Sequence, residues 1–171
     1  MIEIEIDIEI EQGVEMYPEI MVSPMREELT YLGIEELRTA DEVDRALMHS
    51  GTTMVVVNSI CGCAAGRMRP AVRLALQHST QPDKIVTVFA GQDKEATDRA
   101  RAYFTGYPPS SPSIGILRDG KLVYMMQRSD IETRETNQIA TDLKAAFEKF
   151  CVKPAATARQ DSRLRLHRTF L

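Results

Sequence analysis

The chain has 171 residues, 43% of them hydrophobic, and a formal net charge of −4. That length favours one domain with a core of its own over two domains. The acidic balance gives no indication of a nucleic-acid-binding surface, and no apolar stretch approaches the roughly 20 residues of a membrane-spanning helix. Residues 1–15 lack the basic start and apolar run of a signal peptide. We therefore expect a cytoplasmic protein that binds neither nucleic acid nor membrane.

The two ends of the chain differ in charge from the middle. Residues 1–15 contain six acidic residues and no Lys or Arg, whereas residues 152–171 contain five Lys or Arg and one acidic residue. We interpret residues 1–15 as an acidic extension, expected to be disordered or to precede a true start at Met16; an added edge strand or a partner contact is the alternative. Residues 152–171 are interpreted as a basic flexible tail. Residues 16–151 are the predicted domain.

Hydrophobic periodicity and turn residues predict the order of the elements. A serine followed by Pro24 favours a helix start, Thr39 has capping-box spacing, and Pro70 is expected to kink its helix. The pair Asp119-Gly120 is the strongest short signal for a hairpin. The predicted helices cover residues 25–32, 40–48, 64–77, 94–104 and 133–150, and the predicted strands cover residues 54–57, 85–89, 113–117 and 122–126.

Two thiols lie one residue apart where an apolar strand is predicted to end and a helix to begin. Cys61-Gly62-Cys63 follows closely after the apolar run MVVV of residues 54–57. A cysteine at a helix N-terminus faces unpaired N–H groups and the positive end of the helix dipole, and both favour the thiolate. In a reducing compartment, such a pair is more typical of catalysis, redox sensing or metal binding than of a structural disulfide. We predict that Cys61 is the nucleophile and that its pKa lies below that of a free thiol.

The order of the elements predicts the fold class. Two β-α-β steps, a further helix, an antiparallel hairpin and a covering helix indicate an α/β protein with a thioredoxin-like, mixed four-stranded sheet flanked by helices. In that architecture a loop with a cis proline precedes the hairpin and lies against the dithiol. Pro112 occupies the corresponding place. We therefore expect the Ser111-Pro112 bond to be cis and the backbone of Ser111 to lie beside the sulfur of Cys61.

Four stretches of the chain together resemble the bacilliredoxin family. They are VVVNSICGCAAG at residues 55–66, VTVFAGQDKEAT at 86–97, YFTGYPPSSPS at 103–113 and FEKFC at 147–151. The similarity covers roughly residues 17–151, and the motifs together are highly specific although Cys-X-Cys alone is weak. The resemblance implies removal of bacillithiol from S-bacillithiolated cytosolic proteins, with bacillithiol as co-substrate and with disulfide-isomerase activity also attributed to the family. We expect no tightly bound cofactor and no metal, because three cysteines lack a fourth ligand.

The spacing of the two cysteines also bears on their chemistry. A disulfide between Cys61 and Cys63 closes a very small ring, so it is expected to be strained and oxidising, which suits isomerisation or exchange through one thiol. Gly62 is expected to admit the unusual backbone angles of that ring and to leave room for a substrate sulfur. Gly62, Ser111 and Pro112 are the predicted substrate-docking residues. We favour the route through one thiol.

Two questions stay open at the level of the sequence. The second thiol in turnover is either Cys63, as a resolving or pKa-tuning neighbour, or Cys151, which is equally suited to packing. Since the last helix must bury its apolar stripe on the sheet, we expect Cys151 to stay away from Cys61. An alternative of another class is a non-catalytic redox-sensing or metal-carrying module that uses the three cysteines. Asn58 and Tyr107 are further candidates for lining the site.

Overall fold

The strand that precedes the cysteine motif is the centre of the fold. The computed structural model describes residues 17–151. Its strands are β1 (Glu35–Glu36), β2 (Thr52–Asn58), β3 (Lys84–Phe89), β4 (Ser113–Arg118) and β5 (Lys121–Met126). Within the described range these five strands form one sheet in the order β1-β3-β2-β4-β5. β3 is parallel to both β1 and β2, whereas β4 is antiparallel to both β2 and β5.

Helices cover both faces of this sheet. They are α1 (Glu19–Thr30), α2 (Ala40–Leu47), a π-helical turn (Ala64–Met68) that continues into α3 (Arg69–Ala75), α4 (Lys94–Ala102), α5 (Arg128–Glu132) and α6 (Thr136–Phe150). Because side chains alternate along a strand, Met54 and Val56 of β2 face a core shared with α1, α3 and α6. Val55 and Val57 face a second core shared with α2 and α4. Burial on both faces explains the apolar run in β2.

The predicted thioredoxin-like α/β class is confirmed, with one strand more than predicted. Within residues 17–151 the sheet has five strands rather than four, because Glu35 and Glu36 pair with Val86 and Thr87 at the edge. A two-residue acidic segment has neither the length nor the residue types that predict a strand. The prediction missed β1 for this reason.

Local signals located two boundaries correctly. The Thr39 hydroxyl accepts a hydrogen bond from the N–H of Glu42 (3.2 Å), and the Glu42 carboxylate accepts one from the N–H of Thr39 (3.1 Å), as a capping box requires. Asp119 (φ 50°) and Gly120 (φ 75°) form the turn between β4 and β5. Positive φ at both positions is what a tight type I′ hairpin needs.

The predicted start of the first helix is wrong. α1 begins at Glu19, and Pro24 lies inside it rather than in its first turn. The hydrogen bond that Pro24 cannot donate would reach the carbonyl of Ile20, an exposed residue where water can replace it. Buried Arg26 ties the helix together by binding Glu19 (2.9 Å) and reaches across to Asp93. Asp93 is therefore engaged by Arg26, and its side chain makes no capping hydrogen bond to α4.

The last predicted helix begins three residues too early, and a short helix before it was not predicted. α5 ends at Glu132 and α6 begins at Thr136, so the predicted start at residue 133 is wrong. Each helix has its own capping pair, Gln127 with Asp130 and Glu135 with Gln138. The predicted apolar stripe of the last helix does pack on the sheet, through Ile139, Leu143, Ala146 and Phe147.

The expectations for residues 1–15 and 152–171, and for a start at Met16, lie outside the described residues. The domain boundaries at 16 and 151 accordingly stay predictions. Among residues 17–151, no helix combines the length and the apolar character needed to cross a membrane.

Candidate active site

The two thiols lie just beyond the C-terminal end of β2, at the turn into the next helix. Cys61 follows the last residue of β2 by three positions, and its carbonyl oxygen accepts hydrogen bonds from the N–H groups of Ala64 (2.9 Å) and Ala65 (3.2 Å). Cys61 is therefore placed at a helix start, as the sequence predicted. Cys61 and Cys63 are both free thiols and both partly exposed, so a substrate disulfide can reach them.

The surroundings of Cys61 favour its thiolate. Partial burial opposes ionisation, but the S–H of Cys63, the backbone N–H groups of Cys63 and Ala64, and the positive charge of Arg128 stabilise the anion. Their combined effect lowers the pKa of Cys61. Two of these donors are N–H groups at the start of the helix, which is the contribution that the sequence predicted.

The surroundings of Cys63 act in the opposite direction. Burial raises the pKa of its thiol, and both its hydrogen bond to Cys61 and the negative charge of the Cys61 thiolate raise it further, against a smaller opposing effect of Arg128. Because the two thiols share one hydrogen bond, the proton stays on Cys63 while Cys61 is ionised. The pair therefore consists of a nucleophile and a neighbouring hydrogen-bond donor.

A buried polar cluster fixes the chain between β2 and Cys61. Asn58 Oδ1 accepts hydrogen bonds from the N–H of Ser59 (2.9 Å) and from Arg69 Nη1 (3.0 Å), which also donates to the carbonyl of Ser59 (3.0 Å). Ser59 Oγ in turn accepts from the N–H of Cys61 (3.2 Å), and Arg69 Nε donates to Glu28 (2.7 Å). Asn58, a candidate for lining the site, thus supports it from the protein interior.

The helix after the cysteines begins with a π-helical turn. The N–H of Arg69 bonds to the carbonyl of Ala64, five residues back. Pro70 has no N–H for the carbonyl of Gly66, and that carbonyl instead accepts a hydrogen bond from Thr136 Oγ1 of α6 (3.1 Å). The disturbance predicted for Pro70 therefore takes the form of a widened turn beside the active site.

A cleft of about 510 Å³ opens beside the reactive thiol, lined by Cys61 and Ser111 among others. The Ser111-Pro112 bond is cis, as predicted. A Cβ at Gly62 would have no atom within 4 Å apart from those of its chain neighbours, so there is room for a substrate sulfur. Gly62 has no positive φ in this dithiol form, and the unusual backbone expected of the disulfide ring stays a prediction. Tyr107 does not line the cleft.

The arginines of this cleft were not among the predicted site residues. Arg101 and Arg128 both line it. Arg101 Nη2 donates to the carbonyl of Ser110 (3.3 Å), and Arg128 Nη1 donates to the carbonyl of Ser111 (3.4 Å). No local pattern marks either arginine, because only the folded chain brings α4, α5 and the loop before β4 together.

The structure does not bring Cys151 to the cysteine pair. The thiol of Cys151 is hydrogen-bonded to the side chain of Thr52, at the start of β2, whereas Cys61 follows the end of that strand. At about 3.3 Å per residue, the length of β2 separates the two places by roughly 20 Å. A disulfide needs a Cα separation of about 4.4–6.8 Å. The geometry therefore does not support Cys151 as a resolving thiol in this fold, and burial raises its pKa.

The position of Cys151 also bears on the metal-carrying alternative. That alternative requires the three cysteines to converge, and they lie at opposite ends of the sheet. In the part of the chain that the structure describes, no three His, Cys, Asp or Glu side chains are grouped so that they could hold a metal ion. No described feature favours this alternative.

Known proteins of similar sequence share the segment that forms this site. A family model described as "Disulphide isomerase" matches residues 17–151. A bacilliredoxin of Koribacter versatilis is 68% identical over 137 residues, which are 80% of this chain and 94% of the relative. The chain belongs to the bacilliredoxin family. A second bacilliredoxin, from Salinibacter ruber, is 54% identical over 138 residues, covering 79% of this chain and 81% of the relative.

Solved structures show the same fold for this member of the bacilliredoxin family. A proposed oxidoreductase with a thioredoxin fold aligns with a TM-score of 0.51 at 16% identity, covering 66% of this chain and 96% of the other. At that identity the likeness shows the fold alone. The family and the fold together make the protein a thiol-disulfide oxidoreductase.

In this bacilliredoxin-family protein, Cys61 is expected to be alkylated faster than Cys63 at neutral pH. The thiolate is the reactive species, so the alkylation rate of Cys61 should rise with pH at lower values than that of an unstructured cysteine peptide. Iodoacetamide labelling across a pH series, resolved by peptide mass, measures both thiols at once. Faster labelling of Cys63 would contradict the assignment of the thiolate.

Proposed function

We propose that this protein removes bacillithiol from S-bacillithiolated proteins of the cytoplasm, with Cys61 as the nucleophile. The observation that supports the proposal most is the difference between the thiols, because the pKa of Cys61, which lines an open cleft, is lowered and that of Cys63 is raised. The relatives at 54% and 68% identity are named bacilliredoxins. Bacillithiol is the co-substrate, and no tightly bound cofactor takes part.

In the first step the Cys61 thiolate attacks the bacillithiol sulfur of the mixed disulfide. A disulfide bond forms between Cys61 and bacillithiol while the bond between bacillithiol and the target protein breaks. The target cysteine leaves as a thiolate and takes a proton from water. One disulfide replaces another, so no external electrons are needed. The target chain is accommodated at Gly62 and at the Ser111-Pro112 loop, because the space around Gly62 is open and Ser111 borders the cleft.

The second step frees Cys61. A second bacillithiol thiolate attacks the bacillithiol sulfur of the intermediate, bacillithiol disulfide forms, and Cys61 leaves as a thiolate. In the other route Cys63 attacks Cys61, releases bacillithiol and leaves a Cys61–Cys63 disulfide, which then needs two electrons from an external thiol. In that intermediate Cys61 carries no charge, but the burial that raises the pKa of Cys63 is still present and disfavours its thiolate at neutral pH. We therefore favour the route through one thiol.

The same nucleophile also suits disulfide isomerisation. Attack of Cys61 on a disulfide within a protein would form a mixed disulfide with one of its cysteines and free the other as a thiolate. The freed thiolate can attack a different disulfide of that protein, and Cys61 is released when the target closes its final bond. Electrons are again conserved, so this activity needs no reductant.

An assay with bacillithiol tests the proposal. Wild-type protein with excess bacillithiol is expected to release bacillithiol from an S-bacillithiolated model protein, followed by the mass of the target. The variant Cys151→Ala should do so within about twofold of the wild-type rate, because it does not touch the reacting sulfurs. Absence of release by the wild type would refute the proposal. A folded Cys151→Ala protein that stalls as a mixed disulfide would refute the route through one thiol.

A further inference from the structure

The cleft beside Cys61 differs in charge from the protein as a whole. The chain has a net charge of −4, yet among the described residues the charged groups that line the cleft are Arg101 and Arg128, and none is a carboxylate. Low-dielectric walls and charges of one sign concentrate ligands of the opposite charge. The entrance to the reactive thiol is therefore suited to an anion.

Arg101 retains donors for such an anion. Its Nη2 donates to the carbonyl of Ser110 (3.3 Å), while its Nε is buried and has no hydrogen-bond partner among residues 17–151. Burial lowers the pKa of Arg101, with Asp98 acting in the opposite direction, so its positive charge is incompletely compensated by the fold. A planar guanidinium is the group that best binds a carboxylate in two-point contact.

Arg128 supplies the second positive charge of the cleft, from α5 rather than α4. It extends from the start of α5, where its Nη1 donates to the carbonyl of Ser111 (3.4 Å) and its Nε binds Glu132. Its charge also lowers the pKa of Cys61. The two arginines thus bind neighbouring carbonyls of one loop and flank the cleft that Cys61 lines. Arg128 is paired with Glu132 and acts on the charge of Cys61. Arg101 makes a single described hydrogen bond, to the carbonyl of Ser110.

We propose that Arg101, assisted by Arg128, forms a carboxylate-binding subsite that receives the acidic group of the small thiol when a mixed disulfide enters the cleft. This inference rests on the proposed function and names what that function recognises. Bacillithiol contains malate and therefore two carboxylates beside its sulfur-bearing part. A pair of arginines complements that group in charge and in number.

The subsite decides which sulfur of the mixed disulfide is attacked. With the small thiol held at Arg101, Cys61 meets the sulfur of bacillithiol, forms the Cys61–bacillithiol bond and expels the target cysteine as a thiolate. Without binding of the small thiol at Arg101, the mixed disulfide can also enter with the target cysteine next to Cys61. Cys61 then bonds to the target cysteine, and bacillithiol leaves as the thiolate. Both outcomes conserve electrons, but only the first frees the target protein.

The experiment compares two substrates that differ in the acidic group. One is a peptide joined by a disulfide to bacillithiol, and the other is the same peptide joined to cysteinyl-glucosamine, which lacks malate. Arg101→Gln is expected to lower kcat/KM about 10- to 100-fold for the first substrate, as for loss of a charged hydrogen-bond partner, and to change the second by less than about threefold. Arg101→Lys should recover part of the loss because it restores the charge.

Control variants separate recognition from damage to the fold. Arg73→Gln changes an exposed arginine on α3, outside the cleft, and should behave as the wild type with both substrates. Arg101→Gln should keep the wild-type alkylation profile of Cys61 against pH, since Arg101 is not among the groups that set the pKa of that thiol. Arg128→Gln should raise that pKa and slow both substrates, the malate-bearing one more.

A single turnover in the Cys63→Ser background gives a readout that does not depend on rate. With Arg101 present, intact mass should show bacillithiol on Cys61, whereas Arg101→Gln should add a fraction with the peptide on Cys61. Equal losses with both substrates, or equal wild-type rates with both, would overturn the subsite and leave the proposed function standing. Failure of the wild type to turn over either substrate would overturn the proposed function and the subsite with it.

Discussion

Cys61→Ser is expected to abolish removal of bacillithiol, by a factor on the order of a thousand or more, because a serine hydroxyl is not ionised at neutral pH. Cys63→Ser is expected to retain most of the activity. The hydroxyl introduced there can still donate a hydrogen bond to the Cys61 thiolate, so the main interaction that lowers the pKa of Cys61 is kept. The intermediate with bacillithiol on Cys61 should accumulate until a second bacillithiol arrives.

Cys63→Ala is the matched control for this prediction. It removes the donor, so the pKa of Cys61 should rise, and the rate at neutral pH should fall but recover at higher pH. Initial rates of bacillithiol release across a pH series compare the three variants with the wild type. If Cys63→Ser were as inactive as Cys61→Ser, the second thiol would be required and the route through one thiol would be wrong.

Arg69→Leu is expected to give the largest loss of stability, with an unfolding free energy lower by about 2–4 kcal/mol. Arg69 is 3% exposed and donates to Asn58, to the carbonyl of Ser59 and to Glu28. Removing it leaves the carbonyl of Ser59 without this donor inside the protein, which is costly. Loss of the ion pair with Glu28 contributes less to the destabilisation, since the Glu28 side chain is 41% exposed and water can solvate its carboxylate.

Urea unfolding measures this loss as a lower midpoint. Arg73→Leu, on the exposed face of the same helix, is the matched control and should change the midpoint little. Arg69→Lys keeps the positive charge but loses the planar guanidinium, so its midpoint should lie between those of Arg69→Leu and Arg73→Leu. Because Ser59 also anchors the N–H of Cys61, Arg69→Leu should slow turnover as well. A midpoint equal to that of Arg73→Leu would contradict the stabilising role of the buried cluster, and unchanged turnover would contradict its support of the site.

Interactions between residues close in sequence made much of the fold predictable. The run of valines in β2 indicated a strand buried on both faces, and the capping box at Thr39 and the turn at Asp119-Gly120 involve residues at most three positions apart. The position of the cysteine pair followed from the same reasoning, because strand end and helix start are both local features. The position of Cys61 at a helix start then predicted that its pKa is lowered.

Contacts between distant segments account for what the sequence did not reveal. Asp93 has the position of a helix cap, but Arg26 lies 67 residues away and binds it instead. The acidic pair of β1 becomes a strand because β3 offers it an edge. Arg69 was assigned no role, since its partner Glu28 lies 41 residues away. Arg101 and Arg128 of the cleft were not predicted for the same reason, because they come together only in the folded chain.

Intact mass spectrometry after mixing one equivalent of an S-bacillithiolated target with the wild-type protein tests the central claim most directly. Acid quenching preserves the disulfides, and peptide mapping locates each of them. The account predicts a reduced target and one bacillithiol on Cys61, with Cys63 and Cys151 still free. A target joined to Cys61, a bridge between Cys61 and Cys151, or a target that keeps its bacillithiol would contradict it.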